Sequence, residues 1–91
     1  MITEFAKAVG VPQEKILGRS RKVPLPDLRH IYWKLLKDNG DYTWGAIGEL
    51  NDRTHASIIH GVNKVNIALK MGDRKITRIW EKVKELTVDG E

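Results

Sequence analysis

Two stretches of this 91-residue chain concentrate side chains that can hold a polyanion. Residues 15–37 carry Lys15, Arg19, Arg21, Lys22, Arg29, Lys34 and Lys37 against one acid, Asp27, and residues 53–70 carry Arg53, Lys64 and Lys70 with no acid. Between them Asp38, Asp41, Glu49 and Asp52 stand without a cation. Guanidinium and ammonium groups bind phosphate by charge and by hydrogen bonding, so segregated blocks of them predict a nucleic-acid or acidic partner if folding brings the blocks together. The whole chain is less telling, with 16 Lys and Arg against 12 Asp and Glu and a formal charge of +4.

Other chemistries find little support. Asp41, Glu49 and Asp52 are close in sequence but fall on different parts of a turn and a helix, so no acid–base pair is formed and the chain is not expected to be an enzyme. No Gly-rich loop ending in Gly-Lys-Thr or Gly-Lys-Ser occurs, so the chain is not expected to hydrolyse ATP by itself. His55 and His60 are five apart, about 140° around a helix, whereas zinc-binding pairs on helices are about four apart, and His30 does not repair the geometry. No metal, other cofactor or small-molecule substrate is expected. With no cysteine there is no disulfide framework. Hydrophobic residues at 41% and charged residues at 31% describe a chain that folds. No apolar run approaches the roughly 18 to 20 residues needed to cross a bilayer, and the start lacks a targeting pattern, so a cytoplasmic, nucleoid-associated location and no membrane partner are expected.

The elements that would position the cations are helical throughout, because apolar residues recur at three- and four-residue intervals and nowhere alternate for long. A first helix is expected from Thr3, a capping residue, to Val9, with Gly10 after it. Pro12 opens a short helix to about Leu17. The run Gly18-Arg19-Ser20-Arg21-Lys22-Val23-Pro24 is an exposed basic loop. Leu28, Ile31, Tyr32, Leu35 and Leu36 draw one buried stripe on a helix from Pro26 to about Asp38, ended by Asn39-Gly40. Thr43 caps a helix through Leu50, with Trp44, Ile47 and Leu50 on one face and Gly45 and Gly48 permitting close approach of a neighbour. Residues 51–53 break the pattern. A further helix to about Leu69 buries Ile58, Val62, Val65 and Leu69, and Met71-Gly72-Asp73 closes it. A last helix, about Arg74 to Leu86, buries Ile76, Ile79, Trp80 and Val83. Trp33 and Trp80 are core residues on this reading. The acidic end, Val88 to Glu91, is a frayed terminus.

The expected architecture is therefore all-α, a compact bundle of about six helices forming one domain over residues 1–91. Within it, residues 43–69 have the layout of a helix-turn-helix, two helices joined by a turn of about three residues with the second helix basic. Opposite the buried stripe of that second helix lie Ala56, Ser57, His60, Asn63 and Lys64. Short side chains near the helix start let its backbone approach base edges, and polar and cationic ones follow for phosphate.

The run from Ile47-Gly48 through Asn51-Asp52-Arg53-Thr54-His55-Ala56-Ser57-Ile58 to Lys64-Val65 resembles the helix-turn-helix of the C-terminal, Trp-repressor-like DNA-binding domain of the bacterial replication initiator DnaA. Ser20-Arg21-Lys22-Val23 is similar to that family's basic loop, Arg29-His30 falls near its Arg-Gln, and the outer helices sit in matching places. The resemblance implies sequence-specific binding of double-stranded DNA at a DnaA-box-like site. Arg21 would enter the minor groove, and Thr54, His55, Ala56 and Ser57 would meet bases in the major groove. Arg19, Lys22, Arg29, Thr43, Trp44, Arg53, His60 and Lys64 would lie on phosphates. Thr54 replaces the family's aspartate, which removes an acceptor for a cytosine amino group, and Ala56 replaces a threonine, so a shifted site preference is expected. The spacing from Val23 to Ile47 is slightly longer than the family's. A monomer per site is implied, with replication proteins as further partners and a role in replication initiation or its control. Regulation of transcription, docking of an acidic protein on the basic face, and binding of RNA or unpaired strands remain alternatives on sequence alone.

Overall fold

The computed structural model describes residues 1–86, and the acidic end at 88–91 lies outside the described residues. Six helices follow in order: α1 (Ile2–Val9), α2 (Gln13–Leu17), α3 (Leu25–Asn39), α4 (Trp44–Asn51), α5 (His55–Lys70) and α6 (Arg74–Val83). Among the described residues there is no strand, so the fold is all-α, as the helical spacing required. No helix among them is long and apolar enough to cross a membrane.

The architecture is built around α3. It packs most extensively against α5 and also touches α1, α2, α4 and α6, while α4 lies on α5 and α1 on α6. A helix with neighbours on every side cannot keep a one-sided apolar stripe. Besides the expected Leu28, Ile31, Tyr32, Leu35 and Leu36, it buries Leu25, Trp33, Arg29 and Lys34. Lys34 escapes desolvation by reaching Asp38 at 2.7 Å, with its ammonium 4.9 Å from the centre of the Trp80 ring. Phe5, Ile16, Ile47, Ile58 and Val83 bring the other helices into the same core.

Four local expectations are corrected. Thr3 does not cap α1, which begins one residue earlier behind Met1, and its hydroxyl donates instead to Gln13 Oε1 at 3.3 Å. The inward face of α4 is Ile47, Gly48 and Asn51, with Leu50 62% exposed. The Asn51 amide makes its burial affordable by donating to the Ile47 carbonyl at 2.8 Å, so the polar residue, not the leucine, is the one turned inward. Gly45 has open space around it, so only Gly48 of the expected pair serves a close approach. The last helix ends at Val83, short of Leu86, where Asn39 Nδ2 on α3 donates to the freed carbonyls of Lys84 and Leu86.

The α4–α5 connection is tight for identifiable reasons. A Cβ on Gly48 would lie 2.5 Å from the Arg53 carbonyl oxygen, and the Arg53 N–H donates to the Gly48 carbonyl at 2.8 Å. Asp52 ends α4 in the left-handed region, at φ 55°, a conformation that aspartate tolerates better than most residues. Thr43 and Thr54 cap α4 and α5, their hydroxyls accepting from Ala46 N and Ser57 N at 3.1 and 3.2 Å. Asp73 does the same for α6.

Candidate nucleic-acid interface

The two basic blocks meet. A concave groove lies between the loop after α2 and the exposed side of α5, with α3 as its floor. Its cations are Arg19, Arg21, Arg29, Arg53 and Lys64, joined by His30 and His60, and no carboxylate is among its lining residues. The floor is a helical face, since Pro26, Arg29, His30 and Trp33 are spaced by three or four residues along α3. Ala56, Ser57, His60 and Lys64 form the opposing wall on α5. Like charges gathered around a concave, partly desolvated surface raise the local potential and favour an anionic occupant.

The wall behaves as expected from the helical pattern. His55, Ala56, Ser57, His60, Asn63 and Lys64 are all exposed, and Ile58, Gly61, Val62 and Val65 are buried. Thr54 is exposed, but its hydroxyl is committed at the helix start. It accepts from Ser57 N and donates to Ser57 Oγ at 3.0 Å, which leaves the Ser57 proton for an outside acceptor. Thr54 lines a neighbouring concavity with Arg19, Asp52, Arg53 and Ser57.

The cations divide into free and committed groups. Arg21, Lys22 and Lys64 are exposed, with no side-chain hydrogen bond or ion pair among the described residues. Arg19 is also exposed but reaches Asp52, with Nη2 2.8 Å from its carbonyl and 3.0 Å from Oδ2. A solvent-exposed pair of this kind is weak and exchangeable.

Arg29 lies deep in the groove floor. Placed by resemblance on a phosphate, it is only 7% exposed and donates to the carbonyls of Ile16, Ser20 and Lys15 at 2.7, 3.2 and 3.3 Å. Its fork thus serves carbonyls at the end of α2, which have no partner within that helix, and one in the loop behind it. Burial pushes its pKa down, and Arg53 and Arg19 add repulsion. Arg53 is partly committed too, donating to Asn51 and Gly18 carbonyls at 2.9 and 2.8 Å. Burial lowers its pKa first, then Arg19, with Asp52 opposing.

Thr43, Trp44, Lys22 and His55 are not among the groove-lining residues. Trp44 packs partly against the core, and Lys37 Nζ lies 4.7 Å from the centre of its ring, so that face is covered. Trp33 is buried, as expected for core, but it also borders the groove, and its indole N–H is buried without a partner among the described residues. Pro26, His30 and Trp33 are not among the site residues that the sequence points to. Their spacing with Arg29 was the available signal, masked because α3 also carries the main core stripe.

His30, on the groove floor, is a titratable group altered by this setting. Its ring lies 5.3 Å from that of Trp33 at a tilt of 46°. Burial depresses its pKa below the ordinary 6.5, Lys64 adds to this, Asp27 opposes, and Arg29 and His60 contribute further repulsion.

The structure thus defines an all-helical domain with an open cationic groove walled by a capped helix start and a basic loop. The chain is similar to the chromosomal replication initiator protein DnaA of Thermotoga maritima, 30% identical over 83 residues that make up 91% of this chain and 19% of that protein. It is likewise 30% identical over 70 residues to DnaA of Leptospira biflexa, covering 77% of this chain and 16% of the relative. The chain therefore spans less than a fifth of the length of these relatives. No family model matches it, and no solved structure does.

Proposed function

We propose that this domain binds double-stranded DNA sequence-specifically, with α4 and α5 as a helix-turn-helix and the basic loop as a second reading element. The observation that carries this is the groove that joins the two cationic blocks around the start of α5 with no acid in its lining. On this reading the N-terminal turn of α5 enters the major groove, where His55 and Ser57 donate to base edges and the Ala56 methyl meets a thymine methyl. Thr54 serves mainly as the cap that holds this turn. Arg21, unpaired and exposed, enters the adjacent minor groove, whose negative potential attracts an arginine. Lys64, His60, Arg19 and Lys22 lie along phosphates, with Thr43 and Trp44 at the start of α4 near the backbone.

Similarity to an initiator supports a role in chromosome replication or its control. One domain suffices for one site, so a monomer binding an asymmetric box is expected, with replication proteins as further partners.

Selection of bound duplexes from a randomised pool with the 91-residue chain, followed by sequencing, tests the proposal. Enrichment of one short motif is the expected result. Retention without enrichment reduces the activity to phosphate-led binding, and no retention at low salt overturns it in favour of an acidic protein partner.

A further inference from the structure

The end of α2 and the loop behind it present backbone carbonyls at Lys15, Ile16, Gly18 and Ser20. Two arginines from distant parts of the chain collect all four. Arg29 takes three of them, and Arg53 Nη2 takes Gly18 at 2.8 Å. Arg53 simultaneously holds the turn before α5, its Nη1 lying 2.9 Å from the Asn51 carbonyl and 3.4 Å from that of Asp52. The Trp33 ring, its centre 5.8 Å from the guanidinium carbon, limits where this fork can lie. In the opposite direction Arg19 Nη2 donates to the Asp52 carbonyl at 2.8 Å. The start of the basic loop and the α4–α5 turn are thus laced by bonds running both ways between positions 33 and 35 apart.

We propose that Arg53 is a positioning residue that sets the distance between the basic loop and the start of α5, rather than a phosphate ligand as the resemblance implied. This inference rests on the DNA-binding reading above. A reader with two elements gains affinity from both only if their separation matches the separation of the grooves before binding; otherwise ordering the loop subtracts from the contacts it makes. The planar fork of arginine spans two backbones at once. The single ammonium head of lysine keeps the charge but cannot reproduce two bonds in fixed directions.

The test measures affinity for the selected duplex, and its salt dependence, with the wild-type chain, Arg53→Lys, Arg53→Gln, Arg21→Ala, and each Arg53 variant combined with Arg21→Ala. If Arg53 positions the loop, Lys and Gln each lose about tenfold, and the loss shrinks to about twofold or less once Arg21 is gone, because the loop then has little left to deliver. Full rescue by Lys, with Gln alone weakening binding and reducing the salt slope by about one, overturns the proposal and makes Arg53 a phosphate ligand. Losses that simply multiply with that of Arg21→Ala overturn it as well. Thermal unfolding by circular dichroism is followed for every variant; loss of the fold in both Arg53 variants overturns the proposal by showing a role in the whole domain. The wild-type chain is read first, and its failure to bind any duplex defeats the DNA reading itself and the proposal with it.

Discussion

The imidazole of His30 on α3 rests against the backbone of Gly61 on α5: a Cβ at Gly61 would lie 2.7 Å from His30 Cδ2 and 2.8 Å from Cε3 and Cζ3 of Trp33. The floor and the wall of the groove are therefore joined where a glycine lets two helices approach. Trp33 is only 3% exposed and has nowhere to retreat. Gly61→Ala should force α3 and α5 apart and destabilise the domain by about 1–3 kcal/mol despite alanine's better helix propensity. Chemical denaturation measures it. A variant at least as stable as the wild type would show that the aromatic rings can move aside.

Thr54 offers a way to separate holding a helix from reading a base. Its removal in Thr54→Ala should cost about 1 kcal/mol through the lost cap. Thr54→Asp should retain the cap, since aspartate accepts from the same N–H and its charge suits a helix N-terminus. It also provides an acceptor for a cytosine amino group. Repeating the duplex selection with this variant should shift the enriched motif toward cytosine at one position while leaving the melting temperature close to that of the wild type.

Arg29 should reveal itself as structural. Arg29→Met fills similar space but leaves the Lys15, Ile16 and Ser20 carbonyls without their charged donor, a loss of about 2 kcal/mol after allowing for the relieved burial of a cation. Denaturant titration should show this drop. A variant of unchanged stability that lost only DNA affinity and salt dependence would return Arg29 to the phosphate contacts.

Proton linkage at His30 has a definite sign. Its folded pKa lies below the ordinary 6.5, so the unfolded chain takes up the proton first, and stability present above that pH declines as pH falls toward the depressed folded value. DNA acts oppositely. Phosphate near His30 favours its imidazolium, so binding should take up protons and tighten as pH falls from about 7.5 to 6. His30→Gln should remove most of this pH dependence, measured by anisotropy at constant ionic strength. A pH profile identical to that of the wild type would show that His30 does not carry the linkage.

Sequence periodicity was sufficient for much of this molecule, and its failures share a cause. Of the expected α5 stripe, Ile58, Val62 and Val65 are buried because that helix has one packed side and one open side, while Leu69 near its end is only half-buried. For such a helix, residue spacing alone decides what is inside. On α4 the pattern misassigned Leu50 because a buried asparagine can satisfy itself against its own helix, an option that a hydrophobic count does not register. On α3 it underestimated burial because the helix is surrounded.

The cationic face of the site was legible in the same limited sense. Charge segregation marked the two basic blocks, and helical phase placed Ala56, Ser57, His60 and Lys64 on one exposed side. Charge and spacing are local properties, carried by the chain itself. Which cations remain free for a ligand and which are used up holding carbonyls was decided only by tertiary structure. Arg21 and Arg29 are the same residue type in the same basic block, yet one is exposed and the other is spent on the end of α2. Arg53 meets Gly18, and His30 meets Gly61, across sequence separations that no local pattern encodes. A hydrogen bond is decided by where donor and acceptor arrive in space, and that arrival is settled by the packing of all six helices at once.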